Sequence, residues 1–342
     1  MRSQQPAGPV LVASSELERY GAALLRSVGA SQVDAEWVAS LVVASDLAGH
    51  ESHGLRRLVE YVEHARSGAA DPRAIPEVVV DGGATAIVDG HHAFGHVSMR
   101  VVTEQVVARA RAHGVAAVAL RRSDHVGRFA DFCERAAAQG VIMLCFVNDA
   151  GSEQDVAPPG GTEARLATNP IAAGVPRAGS PHLVLDMATS VVAKGRVSEW
   201  LDRGLPLPDE WVTPTGVLRP VGGVKGFGLA LVTEALAGAL TGAGTVSARP
   251  GRDDQGVFTI GVDVAHFRPR ADFTAEVEGF IAYVKDVPLG SGAQPVRIPA
   301  ETGATVAAER RAHGVPVQPF TWQRLADLAA ELRVAVPPRL ES

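Results

Sequence analysis

Leu183-Val184-Leu185-Asp186-Met187-Ala188-Thr189-Ser190-Val191-Val192-Ala193-Lys194-Gly195 runs from an apolar strand-like segment into an acid, two hydroxyls and an ammonium. A strand that ends this way presents polar groups at its C-terminal edge, where open α/β sheets hold charged ligands. Arginine supplies nearly all the positive charge, for the only lysines are Lys194, Lys225 and Lys285. Two of these stand in glycine-containing turns, at Lys194-Gly195 and in Gly222-Gly223-Val224-Lys225-Gly226-Phe227-Gly228, where a phosphate could be held.

The segments around this stretch predict an α/β chain with helical ends. Val115 to Leu120, a helix from Phe129 to Ala138, and Val141 to Val147 follow one another like a βαβ unit. Further strands are expected at Val78 to Val80, Ala84 to Val88, Ile171 to Val175, Leu183 to Leu185 and Val257 to Val262. Helices are expected at Val97 to His113, Gly226 to Leu240 and Phe273 to Val284. Toward the N-terminus, Ser15-Glu16-Leu17-Glu18 reads as a capping box before Leu17, Tyr20, Leu24, Leu25 and Val28. Asp34 opens a second helix, and a third carries Leu55, Leu58, Val59 and Val62 to Gly68. Thr321 is a candidate N-cap for a last helix through Leu325, Leu328, Ala329 and Leu332. The expected organisation is a helical lobe from residues 1–72 and 300–342 around an α/β domain at 73–299. Gly151 to Pro170 reads as a functional loop, and disorder is expected only in the first dozen residues and the last few.

The 342 residues exceed the usual size of one hydrophobic core, and a net charge of -6 leaves no basic footprint for nucleic acid. A small molecule is the expected partner. Cys133 and Cys145 fall in apolar elements, where reduced buried thiols are expected. The N-terminus lacks a secretion signal, and no apolar run reaches the roughly 18 residues of a membrane helix. The expected location is the cytoplasm, with no membrane contact.

Standard nucleotide signatures do not occur: Gly226-Phe227-Gly228 is followed by Leu229-Ala230-Leu231, and there is no P-loop. The turn from Gly222 to Gly228 nevertheless combines small residues, an ammonium and the start of a helix, the ingredients of an anion cradle. Alone, it fits an ordinary glycine-rich helix start equally well. Asp124-His125 follows the Val115 strand, where an imidazole can exchange protons near neutral pH, although a lone loop histidine is usually just solvated. His50-Glu51-Ser52-His53 misses the zinc spacing by one position, so no metal site is expected there. His91, His92 and His96 read as surface histidines. Arg57 and Tyr61 share a helix face able to grip a carboxylate, against the simpler option of a surface arginine with an ordinary partner. Ser52/His53 and Ser123/His125 suggest a serine hydrolase, but no Gly-x-Ser-x-Gly elbow accompanies them.

Together these pieces resemble the malate/L-lactate dehydrogenase type 2 family, which includes sulfolactate, ureidoglycolate and diketogulonate oxidoreductases and cyclic-imine (piperideine-2-carboxylate) reductases. The matching set is Ser52-His53-Gly54 with Arg57 and Tyr61, Val88-Asp89-Gly90 with Phe94-Gly95, Asp124-His125-Val126-Gly127, Pro158 to Gly161, Thr168-Asn169-Pro170, Asp186 to Ser190, and Gly222 to Leu229. They keep the family's order from about Ser15 to Val334. The resemblance implies a non-Rossmann α/β fold with a mixed-sheet cofactor domain, and a homodimer that binds NAD or NADP. It implies hydride transfer to or from C2 of a 2-hydroxy, 2-oxo or cyclic 2-imino acid; a nucleotide-binding member with unrelated or lost chemistry is the contrary class. Carried over, His125 is the acid/base with Asp124 beside it, and Ser52, His53, Arg57 and Tyr61 frame substrate and nicotinamide. Thr168, Asn169, Pro170, Asp186, Met187, Ala188, Thr189, Ser190, Lys225 and Gly226 line the cofactor, joined by His53. The chain departs from the pattern at Asp124 and Val126, where the family has Asn and Phe, and at Ala167, where a glycine is common. The connection from Ser198 to Pro220 is also shorter. An Asp124 facing the imidazole would favour its protonated form and hence reduction.

Overall fold

Leu17, Tyr20, Leu24 and Leu25 recur at helical spacing and are buried along α1 (Ser14–Ser27), which packs on α2 (Gln32–Leu47) and α3 (Arg56–Ser67). A computed structural model describes residues 8–149, 151, 154–202, 204–248, 251–252 and 254–340. Ser152 and Glu153 of the predicted loop, the first seven residues and the last two lie outside the described residues.

The chain forms two compact units: one from the chain up to Ala74 together with the chain from Thr302 onward, the other from Ile75–Glu301. In the first, α10 (Pro319–Leu332) packs against α1 and α3, and the Tyr20 hydroxyl donates to the Leu325 carbonyl at 2.7 Å. A short antiparallel pair, β1 (Val10–Val12) with β9 (Val315–Val317), ties the two chain ends together. Val10 to Val12 were expected to be disordered; the strand orders them because β9 takes up their backbone hydrogen bonds.

Helix starts also differ from the local signals. The N-cap of α1 is Ala13, with no side-chain cap, so the Ser15/Glu18 box is not used. Ser31 caps α2 by accepting the Asp34 amide at 3.1 Å, which places Asp34 inside the first turn. Thr321 lies within α10, which begins at Pro319, a residue whose missing N–H costs nothing at a helix start.

The second unit is a seven-stranded mixed sheet in the order β2 (Glu77–Asp81), β3 (Thr85–Asp89), β4 (Val115–Ser123), β8 (Gln255–Asp263), β5 (Val141–Asp149), β6 (Ile171–Val175), β7 (Leu183–Met187). Only β3 and β4 pair in parallel. The expected βαβ unit is present but split: β8 lies between β4 and β5, antiparallel to both. Val118, Leu120, Val141, Met143, Cys145, Val147 and Val257 are fully buried in these central strands, as continuous apolar runs require.

Helix α4 (Gly95–His113) packs on β4 and β8, and α5 (Ala130–Ala138) on β5 and β6. Helix α6 (Lys194–Asp202) precedes α7 (Val224–Thr233), which continues as a π-helical segment, Glu234–Leu240, against β5 and β8. Helix α8 (Arg270–Lys285) buries Val277 and Ile281 with Ile298 beside Val175 and Leu183, and α9 (Glu301–His313) follows. The α/β fold with a mixed sheet and a helical unit made from both chain ends agrees with the expectation. Among the described residues, no helix is long and apolar enough to cross a membrane.

Candidate active site

Strand β4 runs three residues beyond its apolar core and delivers Asp124 and His125 into a loop held on several sides. The Asp124 amide donates to the Ala93 carbonyl at 3.2 Å, and the Val126 amide to Gln255 Oε1 at 2.9 Å. At the start of α4, a side chain on Gly95 would overlap the carbonyl oxygens of both Asp124 and His125, so only glycine lets the loop settle there. Asp124 is buried and His125 half-buried.

Beside this loop the backbone is strained: His91, His92 and Arg122 have φ of 49°, 62° and 51°. The buried Asp89 carboxylate accepts from the His91 amide at 3.0 Å, Arg122 Nε at 2.8 Å and Arg121 Nε at 3.3 Å. Although burial opposes it, these donors and charges together hold its carboxyl below the usual range. His96 is buried rather than a surface residue, and the loss of hydration pushes its pKa down to about 3.

Of the cofactor candidates, Thr168, Asn169, Thr189 and Gly226 meet in one cluster within the sheet unit, whereas His53 belongs to the other unit. Thr189 donates twice to the Thr168 carbonyl, from its amide and from its hydroxyl, each at 2.9 Å. Its own carbonyl accepts the Val221 amide at 2.9 Å, and the Val191 amide reaches the Arg219 carbonyl at 2.8 Å. Asn169 is fully buried, and the Pro170 carbonyl accepts the Val147 amide at 3.1 Å. Gly226 closes the cluster: a Cβ there would stand 2.6 Å from the Thr189 carbonyl oxygen and 2.7 Å from the Val221 nitrogen.

The anion cradle is narrower than expected. The amides of Gly223, Lys225 and Gly226 are spent on the carbonyls of Pro220, Gly222 and Val221. Those of Gly222 and Val224 donate to no described atom, and the Lys225 side chain is exposed at the first turn of α7. Lys194 lies in no turn; it opens α6 and pairs with Asp155 at 3.1 Å. The Asp186 carboxylate accepts the Ala130 amide at 2.9 Å at the start of α5, and burial raises its pKa to about 6. Met187 and Ala188 are half-buried.

Ser52, His53, Arg57 and Tyr61 come together in the unit made from both chain ends. Ser52 Oγ and His53 Nδ1 lie 2.9 Å apart in a single 3-10 turn, Glu51–His53. Arg57 Nε donates to the Ser52 carbonyl at 3.0 Å, while its Nη1 pairs with Glu60 at 2.6 Å. Tyr61 is buried.

Sequence reading missed the residue that shapes this turn. Asp46 lies in the apolar α2, and its Oδ2 accepts the Leu55 amide at 2.7 Å. An acid in the apolar C-terminal half of the helix was the available signal. Burial raises the Asp46 pKa to about 8, against 3.8 ordinarily. A carboxyl with a raised folded pKa favours the native state at low pH. Its contribution is fully present below about pH 4 and is lost as pH climbs through about 8. Asp46→Asn, which keeps an acceptor for Leu55, is expected to flatten the fall in melting temperature between pH 5 and pH 8. Parallel melting curves for variant and parent across that interval would refute this role.

An L-lactate dehydrogenase of Cupriavidus necator is 36% identical over 325 residues, covering 89% of this chain and 92% of that protein. A Δ1-pyrroline-2-carboxylate reductase of Burkholderia multivorans is 30% identical over 335 residues, covering 92% and 96%. The solved structure of malate dehydrogenase from Pyrococcus horikoshii superimposes with a TM-score of 0.87 at 28% identity, over 96% of this chain and 97% of that one. These relatives are oxidoreductases. The malate/L-lactate dehydrogenase family model matches residues 12–326, and the chain belongs to that family.

Proposed function

We propose that the protein moves a hydride between a nicotinamide dinucleotide, NAD or NADP, and C2 of a small 2-hydroxy or 2-oxo acid. One observation carries this reading: Thr168-Asn169-Pro170, Asp186 to Ser190 and the Gly222 turn, far apart in the chain, share one hydrogen-bonded cluster. The residues present fit a dinucleotide: two uncommitted amides and an exposed ammonium sit at the positive end of α7, complementary to a pyrophosphate.

A bound nicotinamide dinucleotide supplies the two-electron carrier. His125 takes the proton from the substrate C2 hydroxyl in oxidation and returns it in reduction. Asp124, the preceding residue, anchors the loop that carries the imidazole through its amide on the Ala93 carbonyl. Arg57 anchors a substrate carboxylate by exchanging Glu60 for it, and Ser52, His53 and Tyr61 frame the acid beside it. The exposed Leu229 and Val232, three residues apart on α7, form an apolar face that a second copy covers in a homodimer. The reading places the protein in the cytoplasm, in keeping with the thiols of Cys133 and Cys145, which form no disulfide.

The relative named as a pyrroline-2-carboxylate reductase favours a second reading, reduction of a cyclic 2-imino acid. The same imidazole would then protonate nitrogen instead of oxygen.

Nicotinamide absorbance, followed with both dinucleotides against 2-oxo acids and cyclic imines, tests these readings. Turnover of oxo acids supports the first, and turnover of imines alone supports the second. Tight dinucleotide binding without turnover would instead point to unrelated or lost chemistry. Lys225→Ala is expected to raise the dinucleotide dissociation constant about fivefold, the loss of one exposed charge on phosphate. An unaltered constant counts against the cradle.

A further inference from the structure

We infer that Glu234 is a positioning residue that fixes Asn169, and through it the cluster assigned above to the dinucleotide, so that it governs cofactor affinity rather than the chemical step. The inference rests on that assignment.

Glu234 is buried at the first residue of the π-helical segment, where the helix widens by one residue per turn. Its Oε1 accepts Asn169 Nδ2 at 3.0 Å; its Oε2 accepts the Val246 amide at 3.2 Å and Asn148 Nδ2 at 3.5 Å. These donors are all neutral, and no ion pair joins Glu234 to a cation among the described residues. A buried carboxylate without a countercharge carries a desolvation penalty that neutral donors offset only in part. Stability alone does not account for placing an acid there.

Geometry shows what the acid does. Asn169 holds a left-handed backbone, with φ of 36°, and its side chain is fully buried. Its Oδ1 meets no hydrogen-bond partner among the described residues, so the side chain is held by its NH2 group alone. That group donates to the Ala230 carbonyl at 3.2 Å and to Glu234. The residue before it, Thr168, is gripped by Thr189, whose carbonyl in turn meets Val221 and abuts Gly226. Gly226, Ala230 and Glu234 lie along one continuous helix, so the contacts form a closed circuit from its first turn through Thr189, Thr168 and Asn169 back to Glu234. Glu234 is the only charged member at the point where the circuit returns to the helix.

Glu234→Gln keeps the length and volume of the side chain but replaces one acceptor oxygen with a donor. Two measurements are made on the full-length protein. Without ligand, hydrogen exchange at the Thr189 amide is expected to quicken by about 10-fold or more, as its Thr168 acceptor loosens. The dissociation constant and KM for the dinucleotide are expected to rise roughly 10-fold, with kcat at saturating cofactor within about twofold. Glu234→Asp, which restores the carboxylate, should recover part of the affinity, and it replaces the Gln variant if that one fails to fold. A folded variant with parental exchange at Thr189 and parental affinity overturns the role of Glu234 while leaving the site assignment intact. A fall in kcat with KM unchanged also overturns it. Failure of the unmodified protein to bind either dinucleotide removes the site assignment first, and the inference falls with it.

Discussion

His125→Ala is expected to lower turnover roughly 100-fold or more while leaving dinucleotide affinity within about twofold. The imidazole is delivered by β4, next to Asp124, into the loop that Gly95 supports. The Val126 amide stays on Gln255 and the Asp124 amide on Ala93, so the substitution removes chemistry and spares architecture. The cluster proposed to hold the dinucleotide is built from other segments altogether. Steady-state kinetics beside a fluorescence titration separate the two effects. The limb of the pH profile that reports the imidazole should disappear in the residual activity. Turnover equal to the parent would take His125 out of the mechanism.

Gly226→Ala is expected to weaken dinucleotide binding by at least about 10-fold and to destabilise the fold by about 1–3 kcal/mol, the usual cost of forcing a methyl into filled space. The atoms it would meet are the Thr189 carbonyl, the Val221 carbonyl and the Val221 nitrogen, all backbone, so no side-chain rotation relieves the overlap. Relief has to come from separating the Gly222 turn from Thr189, which also slackens the double bond from Thr189 to Thr168. Gly228, two residues on in the same exposed helix, has no atom within 4 Å of a built Cβ. Gly228→Ala should therefore fold at least as stably as the parent, since alanine is the better helix former. Chemical denaturation of the pair measures the difference; equal midpoints would show that the turn yields freely and does not define the site.

The candidate site was partly legible before any coordinates. Asp186 to Ser190 and the Gly222 turn could be picked out by composition, each a break at the edge of an apolar run, whereas Thr168 to Pro170 was singled out only through the family resemblance. What each residue does inside its segment was not. Asp186 is engaged by the start of α5, Lys194 by Asp155, and three of the cradle's amides by the turn itself. A segment's polarity announces that its groups need partners, and only the folded chain shows which partners they find. Asp46 and Glu234 were passed over for the same reason. Each is an acid in an apolar stretch of helix, and its significance lies in the distant backbone and amide groups it accepts from.

The sequence by itself determined the elements and their buried faces: the apolar runs of β4 and β5, the helical spacing of α1 and α3, and the mixed middle between helical ends. Those features follow from local periodicity and turn chemistry, which a short window of chain contains. Tertiary structure alone decided that β8 inserts antiparallel between β4 and β5, that β1 closes on β9, and that three separate turns meet around Thr189. Strand order and loop convergence depend on which distant surfaces complete one another's hydrogen bonds and packing, and a linear pattern of apolar and polar residues does not contain that choice.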